Sequence, residues 1–260
     1  MSFLSLLGIE VREVRRSRIL FILLLPGAIV WLPSILNARV NLTPAAAVIA
    51  PEYNFLIQGY MGMAWFMIPA TFIICTVLLT QTERKNNGIL KMLALPLAPG
   101  RLCLAKFVVL LSFGVIQLLM TAAAYYISAA AATHLLNYPF ILPLSYVLPI
   151  TGEIYLASLP MAAVFWMLAT LIRTPVFSIG IGLAAIVPSV LMINTKIWFA
   201  YPMCYPFYTL MTEYGRLSPG IFSACLRPLP LIPASAAVTV LCLTVSCIQF
   251  GHSERRDRLL

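Results

Sequence analysis

Charge is what this sequence has least of. Only 10% of its 260 residues are Asp, Glu, Lys or Arg, against 62% hydrophobic. A soluble domain carries roughly 25% charged residues, so a soluble globular fold is excluded and an integral membrane protein is expected. Histidine is confined to His134 and His252, and neither an H-E-x-x-H nor a Cys-x-x-Cys pattern occurs. No metal site is expected on that ground. No lysine is followed by Ser or Thr, so the G-x-x-x-x-G-K-[ST] phosphate loop is missing and the chain does not hydrolyse ATP by that route. A Ser–His pair would need His134, which sits beside "NYPF" and reads as an interface residue. No catalytic residue and no cofactor bound by this chain are expected. The six cysteines are scattered. Cys75, Cys242 and Cys247 fall in apolar runs and read as small core residues. Cys204 and Cys225 share one segment, where an oxidising compartment would allow a disulfide. The alternative is two small apolar side chains.

What the chain has in quantity is apolar sequence. A helix needs about 20 apolar residues to cross the hydrocarbon core, and runs free of charge place six such spans: 19–37, 55–80, 105–133, 144–172, 175–195 and 230–250. The run 107–152 is too long for one crossing and divides at "HLLNYPFILP". A transmembrane barrel would alternate in ~10-residue segments. These runs are solidly Leu- and Ala-rich, so the expected fold class is all-α: a polytopic bundle of six transmembrane helices in one domain, 1–260. Pro26 and Pro33 predict a kink or an early end in the first span.

Lys and Arg set the orientation. Arg12, Arg15, Arg16 and Arg18 precede the first span. Arg84, Lys85, Lys91, Arg101 and Lys106 follow the second, Arg173 follows the fourth, and Arg255, Arg256 and Arg258 end the chain. The other side holds only Arg39, Lys196, Arg216 and Arg227. Six spans therefore put both termini in the cytoplasm. The net charge of +9 reads as topology and headgroup contact, and nucleic acid is not an expected partner. The first eighteen residues are charged throughout, with no small-residue cleavage site after a short apolar core. The first span is expected to stay in the membrane.

Several local patterns bear on function. Phe3, Leu6, Leu7, Val11 and Val14 recur at helical spacing within 2–17, which fits an amphipathic helix in the interface or a basic start to the first span. In the fifth span Ser178, Gly182 and Ile186 share a face, as do Gly180 and Ala184. Small residues four apart let helices approach closely in lipid, either between subunits or within this chain. Residues 197–228 are rich in Trp, Tyr and Pro and predict short re-entrant helices in the outer interface before the sixth span. Asn41-Leu42-Thr43 matches the glycosylation pattern, is followed by Pro44, and is given no weight. Glu153 is the one acid inside an expected span. Intramembrane acids are costly and mark function by default, so Glu153 is a candidate for contact with a cationic substrate or for gating. The competing reading is a later span start that leaves it near the surface.

One stretch combines charge with apolar character outside the spans: "ERKNNGILKMLALPLAPGRLCLAKF". Positive-inside topology accounts for its cations and leaves "GILKMLAL" unexplained. Gly88 allows a bend, Ile89, Leu90, Met92 and Leu93 form an apolar patch, Pro96 and Pro99 stop the segment, and Gly100 allows a turn. A short docking helix over 83–96 for a cytoplasmic partner is expected, with Lys106 marking re-entry into lipid.

Glu83, Asn87, Gly88, Leu95, Pro96, Arg101 and Lys106 resemble the corresponding stretch of ABC-2-type permeases, the transmembrane subunits of ABC transporters. The likeness is closest to the branch of lantibiotic-immunity and bacitracin-type exporters, although Ile89 stands where that branch often has an aromatic residue. The resemblance implies a bacterial inner-membrane exporter subunit. It would pair with a second permease, identical or similar, and with two separate ABC ATPase subunits that bind ATP and Mg. It also implies that the loop after span 2 is a coupling helix, with Glu83, Arg84, Lys85, Asn87, Gly88, Ile89, Leu90, Lys91 and Leu93 at the ATPase. An amphipathic peptide, antibiotic or lipid-like molecule is the implied cargo. The rival is a stand-alone secondary transporter or channel using Glu153. A single acid is thin for ion coupling, and no internal repeat is visible.

Overall fold

The computed structural model describes residues 7–8, 19–42, 49–85, 99–172, 174–218 and 231–257. All regular structure among them is helical: α1 (Ile19–Leu36), α2 (Pro51–Gly62), α3 (Ile68–Lys85), α4 (Pro99–Leu136), α5 (Leu144–Leu171), α6 (Pro175–Ile186), α7 (Ser189–Met192), α8 (Tyr205–Leu217) and α9 (Leu231–Asp257). Five stretches are long and apolar enough to cross a membrane: Pro51–Gln81, Pro99–Leu136, Leu144–Leu171, Pro175–Met192 and Leu231–Phe250. α1 is also apolar and remains helical through Pro26 and Pro33. Of the expected interfacial helix over 2–17, only Leu7 and Gly8 are described, and both are helical.

α2 and α3 form one continuous rod through a wider, π-helical turn at Met63–Met67. The Ile68 amide reaches back five residues to the Met63 carbonyl. Pro69 supplies the cause. It has no N–H for the Trp65 carbonyl, and its ring would collide with that oxygen in a regular helix. The turn before it therefore widens.

α4 begins at Pro99, so Pro99 and Gly100 make its first turn, where a loop turn was expected. A proline fits there because the first helical amides lack partners anyway. The helix ends at Leu136, and Asn137 adopts a positive φ of 53°, a left-handed stop that Asn tolerates well. The following linker is pinned by the buried Tyr125 hydroxyl. It donates to the Phe140 carbonyl at 3.0 Å and accepts from the Leu142 amide at 2.9 Å.

α5 is the hub, packing against α3, α4, α6, α8 and α9. α1 lies on α4 and α2, where Trp31 is only 1% exposed. Its ring centroid is 5.8 Å from that of Phe55, 5.9 Å from Tyr60 and 5.4 Å from Tyr125. This close approach needs Gly59, because a Cβ there would lie 2.2 Å from the Trp31 ring.

Pro188 separates α6 from α7. Ser178, Gly182 and Ile186 are buried on the side of α6 that packs on α3. A Cβ at Gly182 would lie 2.9 Å from Ile73 Cγ1. This stripe of small residues thus serves packing within the chain. Gly180 and Ala184 are exposed.

Two short 3-10 turns, Trp198–Ala200 and Pro202–Cys204, lead into α8. Trp198 stacks on Tyr208 with centroids 3.9 Å apart. α8 buries Phe207, Leu210 and Met211 and packs on α5 and α2.

Connectivity and contacts define two ends. The end of α1, the starts of α2, α5 and α9, the linker 137–143 and α8 gather at one, here the α8 end. The ends of α3, α5 and α9 and the starts of α4 and α6 gather at the other.

Candidate functional site

Of the expected coupling residues, three are described, at the end opposite α8. Glu83, Arg84 and Lys85 form the last residues of α3. Asn87, Gly88, Ile89, Leu90, Lys91 and Leu93 lie outside the described residues, as does the rest of the expected 83–96 helix beyond Lys85. Across the gap, Arg101 is exposed in the first turn of α4. Lys106, expected at the lipid boundary, is instead only 1% exposed. The reason is the early start of α4. Lys106 stands roughly 10 Å into the helix from Pro99 and shares its level with the buried Cys103 and Phe107.

Three helix ends meet there. Trp166 of α5 donates its indole N–H to Cys103 Sγ at 3.3 Å. The Cys247 thiol of α9 donates to the Gly100 carbonyl at 3.8 Å. Leu7 and Phe250 pack on Leu102 and Ala105. This end of α4 thus touches α5 and α9 directly.

Halfway along the bundle, polar groups cluster around the π-turn. The Tyr60 hydroxyl hydrogen-bonds Thr151 Oγ1 at 2.7 Å. Gln117 Nε2 donates to Thr71 Oγ1 at 2.9 Å. Trp31 Nε1 donates to the Thr121 carbonyl at 3.2 Å. All of these side chains are buried, and each pairs helices that are distant in sequence. A lone amide such as Gln117 within an apolar run was the available signal.

The α8 end carries two carboxylates that the sequence reading passed over. Tyr138 donates its hydroxyl to Glu52 Oε2 at 2.7 Å. Tyr146 donates to Glu213 Oε1 at 2.6 Å, and Arg216 Nη2 donates to the same oxygen at 2.7 Å. The bond to Glu52 holds the Tyr138 phenol above its usual range, with burial adding to the effect. Glu213 likewise raises the Arg216 guanidinium. Asn41 is 2% exposed, and its Oδ1 accepts from Asn54 Nδ2 at 3.2 Å and Gln58 Nε2 at 2.9 Å. A residue so enclosed is no glycan acceptor.

Cys204 is a buried free thiol that donates to the Ser189 carbonyl at 3.1 Å. Burial pushes it up to about 12. Cys225 lies outside the described residues. Glu153 is exposed on α5, far from Lys85 along the bundle, and lines a groove between α5, α8 and α9.

Long apolar helices with charged groups gathered at their ends define a polytopic membrane protein. The chain belongs to the ABC-2 family transporter proteins: the model of that family matches residues 6–189, from before α1 to the first residue of α7. No curated protein matches it.

Proposed function

We propose that this chain is the permease subunit of an ATP-driven exporter in the bacterial cytoplasmic membrane. It crosses six times, α1 included, with both termini in the cytoplasm and the α8 end outside. It works as a pair of permeases, identical or similar, with two separate ABC ATPase subunits that hold ATP and Mg. Residues 83–96 are the coupling helix. Ile89, Leu90 and Leu93 enter a groove of the ATPase, and Glu83, Arg84, Lys85, Asn87, Gly88 and Lys91 shape and tune that contact. ATP-driven closure of the ATPases pulls on α3 and α4 and switches access to the transport path. The cargo is an amphipathic peptide, antibiotic or lipid-like molecule, as in the lantibiotic-immunity and bacitracin branch.

The observation that carries this reading is the position of the basic segment within an ABC-2 family protein. The start of α4 that follows it is bonded to the ends of α5 and α9, so a push on the segment would reach those helices through α4. The excess of Lys and Arg on that side supports its cytoplasmic placement. Leu90→Asp and Leu93→Asp place a charge in the apolar contact. Central apolar anchors of an interface are often worth 2 kcal/mol or more, so each variant is expected to bind the ATPase about thirtyfold more weakly on copurification, with the permease still in the membrane. Unchanged copurification and transport would overturn the docking role.

A further inference from the structure

The groove beside Glu153 has a definite chemical character. It encloses about 330 Å³, at the small end of the range for organic ligands. Glu153 and Ala157 of α5 form one wall, Thr209 of α8 another, and Ile232 and Ser235 of α9 the third. Glu153 stands about 14 Å along α5 from Leu144. A hydrocarbon layer about 30 Å thick centred on this helix would therefore include it, in the half nearer α8. Among the described residues the carboxylate makes no hydrogen bond or ion pair, and no Lys, Arg or His lines the groove.

Three hydroxyl-bearing residues line it, and their hydroxyls are committed as donors, that of Tyr205 to the Phe199 carbonyl. Thr209 Oγ1 donates to the Tyr205 carbonyl at 3.0 Å, and Ser235 Oγ donates to the Ile232 carbonyl at 2.8 Å. Their oxygens keep only lone pairs for a ligand. The groove thus offers one negative charge and three hydroxyl acceptors, with apolar walls between. Among the described residues an anion finds no donor there. A primary ammonium, a donor-only group with one positive charge, fits both the lone pairs and the sign.

We propose that this groove binds a cationic amphiphile, its primary ammonium on Glu153, Thr209 and Ser235 and its tail along Ala157 and Ile232. This rests on the exporter reading only in identifying the ligand as cargo, and it adds the charge and leaflet of that cargo. The amphiphile is held in the half of the membrane nearer α8, open sideways to lipid.

The test uses the full chain in phosphatidylcholine nanodiscs, whose lipid carries no primary ammonium, with a fluorescent dodecylamine as probe and the matching dodecanol as neutral control. Empty discs give the partition background. Glu153→Gln should weaken saturable dodecylamine binding about tenfold, as expected for losing one charge-assisted contact, and leave dodecanol unchanged. Ala157→Trp should abolish saturable binding of both while the carboxylate remains. Wild-type dodecylamine affinity in either variant would overturn the proposal, as would equal losses for the amine and the alcohol in Glu153→Gln. Competition by phosphatidylethanolamine at the amine's own affinity would assign the site to a lipid headgroup and overturn the cargo role. A photocrosslink from position 153 to a second copy of the chain would assign the groove to a subunit interface and overturn it too. No ATPase is needed for the measurement. Failure of the copurification experiment therefore leaves the binding result standing, and the reverse also holds.

Discussion

A single hydrogen atom at position 59 decides how closely the first two helices meet. Trp31 fills the space that any larger residue at Gly59 would need, and the ring is held from three sides by Phe55, Tyr60 and Tyr125. The indole is also tied by its N–H to Thr121, so it cannot slide aside cheaply. Gly59→Ala is expected to cost about 1–3 kcal/mol, the usual range for overpacking a closed core. Gly180 has open space around its Cβ position, and Gly180→Ala should be neutral or slightly stabilising in the helix. Thermal unfolding of the two variants in one detergent makes the comparison. Tyr138 offers a second residue-scale test. Its phenol is raised by Glu52, so the folded state favours the protonated form. That contribution is complete below the ordinary phenol value near 10 and is lost as pH rises through the higher folded value. The stability gap between the wild type and Tyr138→Phe should hold at neutral pH and close in strongly alkaline buffer, as read by unfolding midpoints across pH.

At the scale of elements, α8 is the piece whose attachment is easiest to probe. It is amphipathic, lies against α5 and α2, and is latched to the start of α5 by the Tyr146–Glu213 hydrogen bond. The Glu213 side chain is 11% exposed, against 69% for Arg216, so the tyrosine contact is the better shielded of the two. Hydrogen bonds to charged groups contribute about 1.5–3 kcal/mol. Tyr146→Phe should therefore speed hydrogen exchange across α8 while α4 and the rest of α5 keep their protection. Unchanged exchange in α8 would show that the apolar face alone holds it. The π-turn between α2 and α3 belongs to the same scale. It shifts the face of the rod midway, so Tyr60 on one side of it meets Thr151 of α5 and Thr71 on the other meets Gln117 of α4.

For the whole molecule, much of the helical layout can be read from where charge is missing. The stretch 107–152 divides at Asn137–Pro143 because Asn accepts a left-handed backbone and Pro143 cannot continue α4, and both facts are local. The all-helical class follows from the same apolar runs, through the need to satisfy backbone groups away from water. What escaped depends on neighbours distant in sequence. The burial of Lys106 follows from a helix that starts at Pro99, earlier than the charge pattern suggests. The pairing of Glu52 with Tyr138 and of Glu213 with Tyr146 joins residues far apart in the chain, and no periodicity announces it. The stripe Ser178–Gly182–Ile186 was legible as a contact surface, but its partner, α3, was not. The candidate site was legible as residues without being legible as a place. Glu153 could be singled out as an acid in an apolar run, yet the groove around it is made by α8 and α9.

α4 has a mechanical consequence. It contains 38 residues, about 57 Å at the α-helical rise, nearly twice the thickness of the hydrocarbon core. α1 and α5 carry internal prolines, and the α2–α3 rod has its π-turn. α4 has neither, so it can act as a long, stiff beam. A stiff beam packed at its waist turns small tilts into large displacements at its tips. A tilt of about 5° moves one tip by about 5 Å relative to the other, close to one helical turn. Movement at the Arg101 end of α4 would be felt at Tyr125 and the 137–143 linker without any intervening rearrangement.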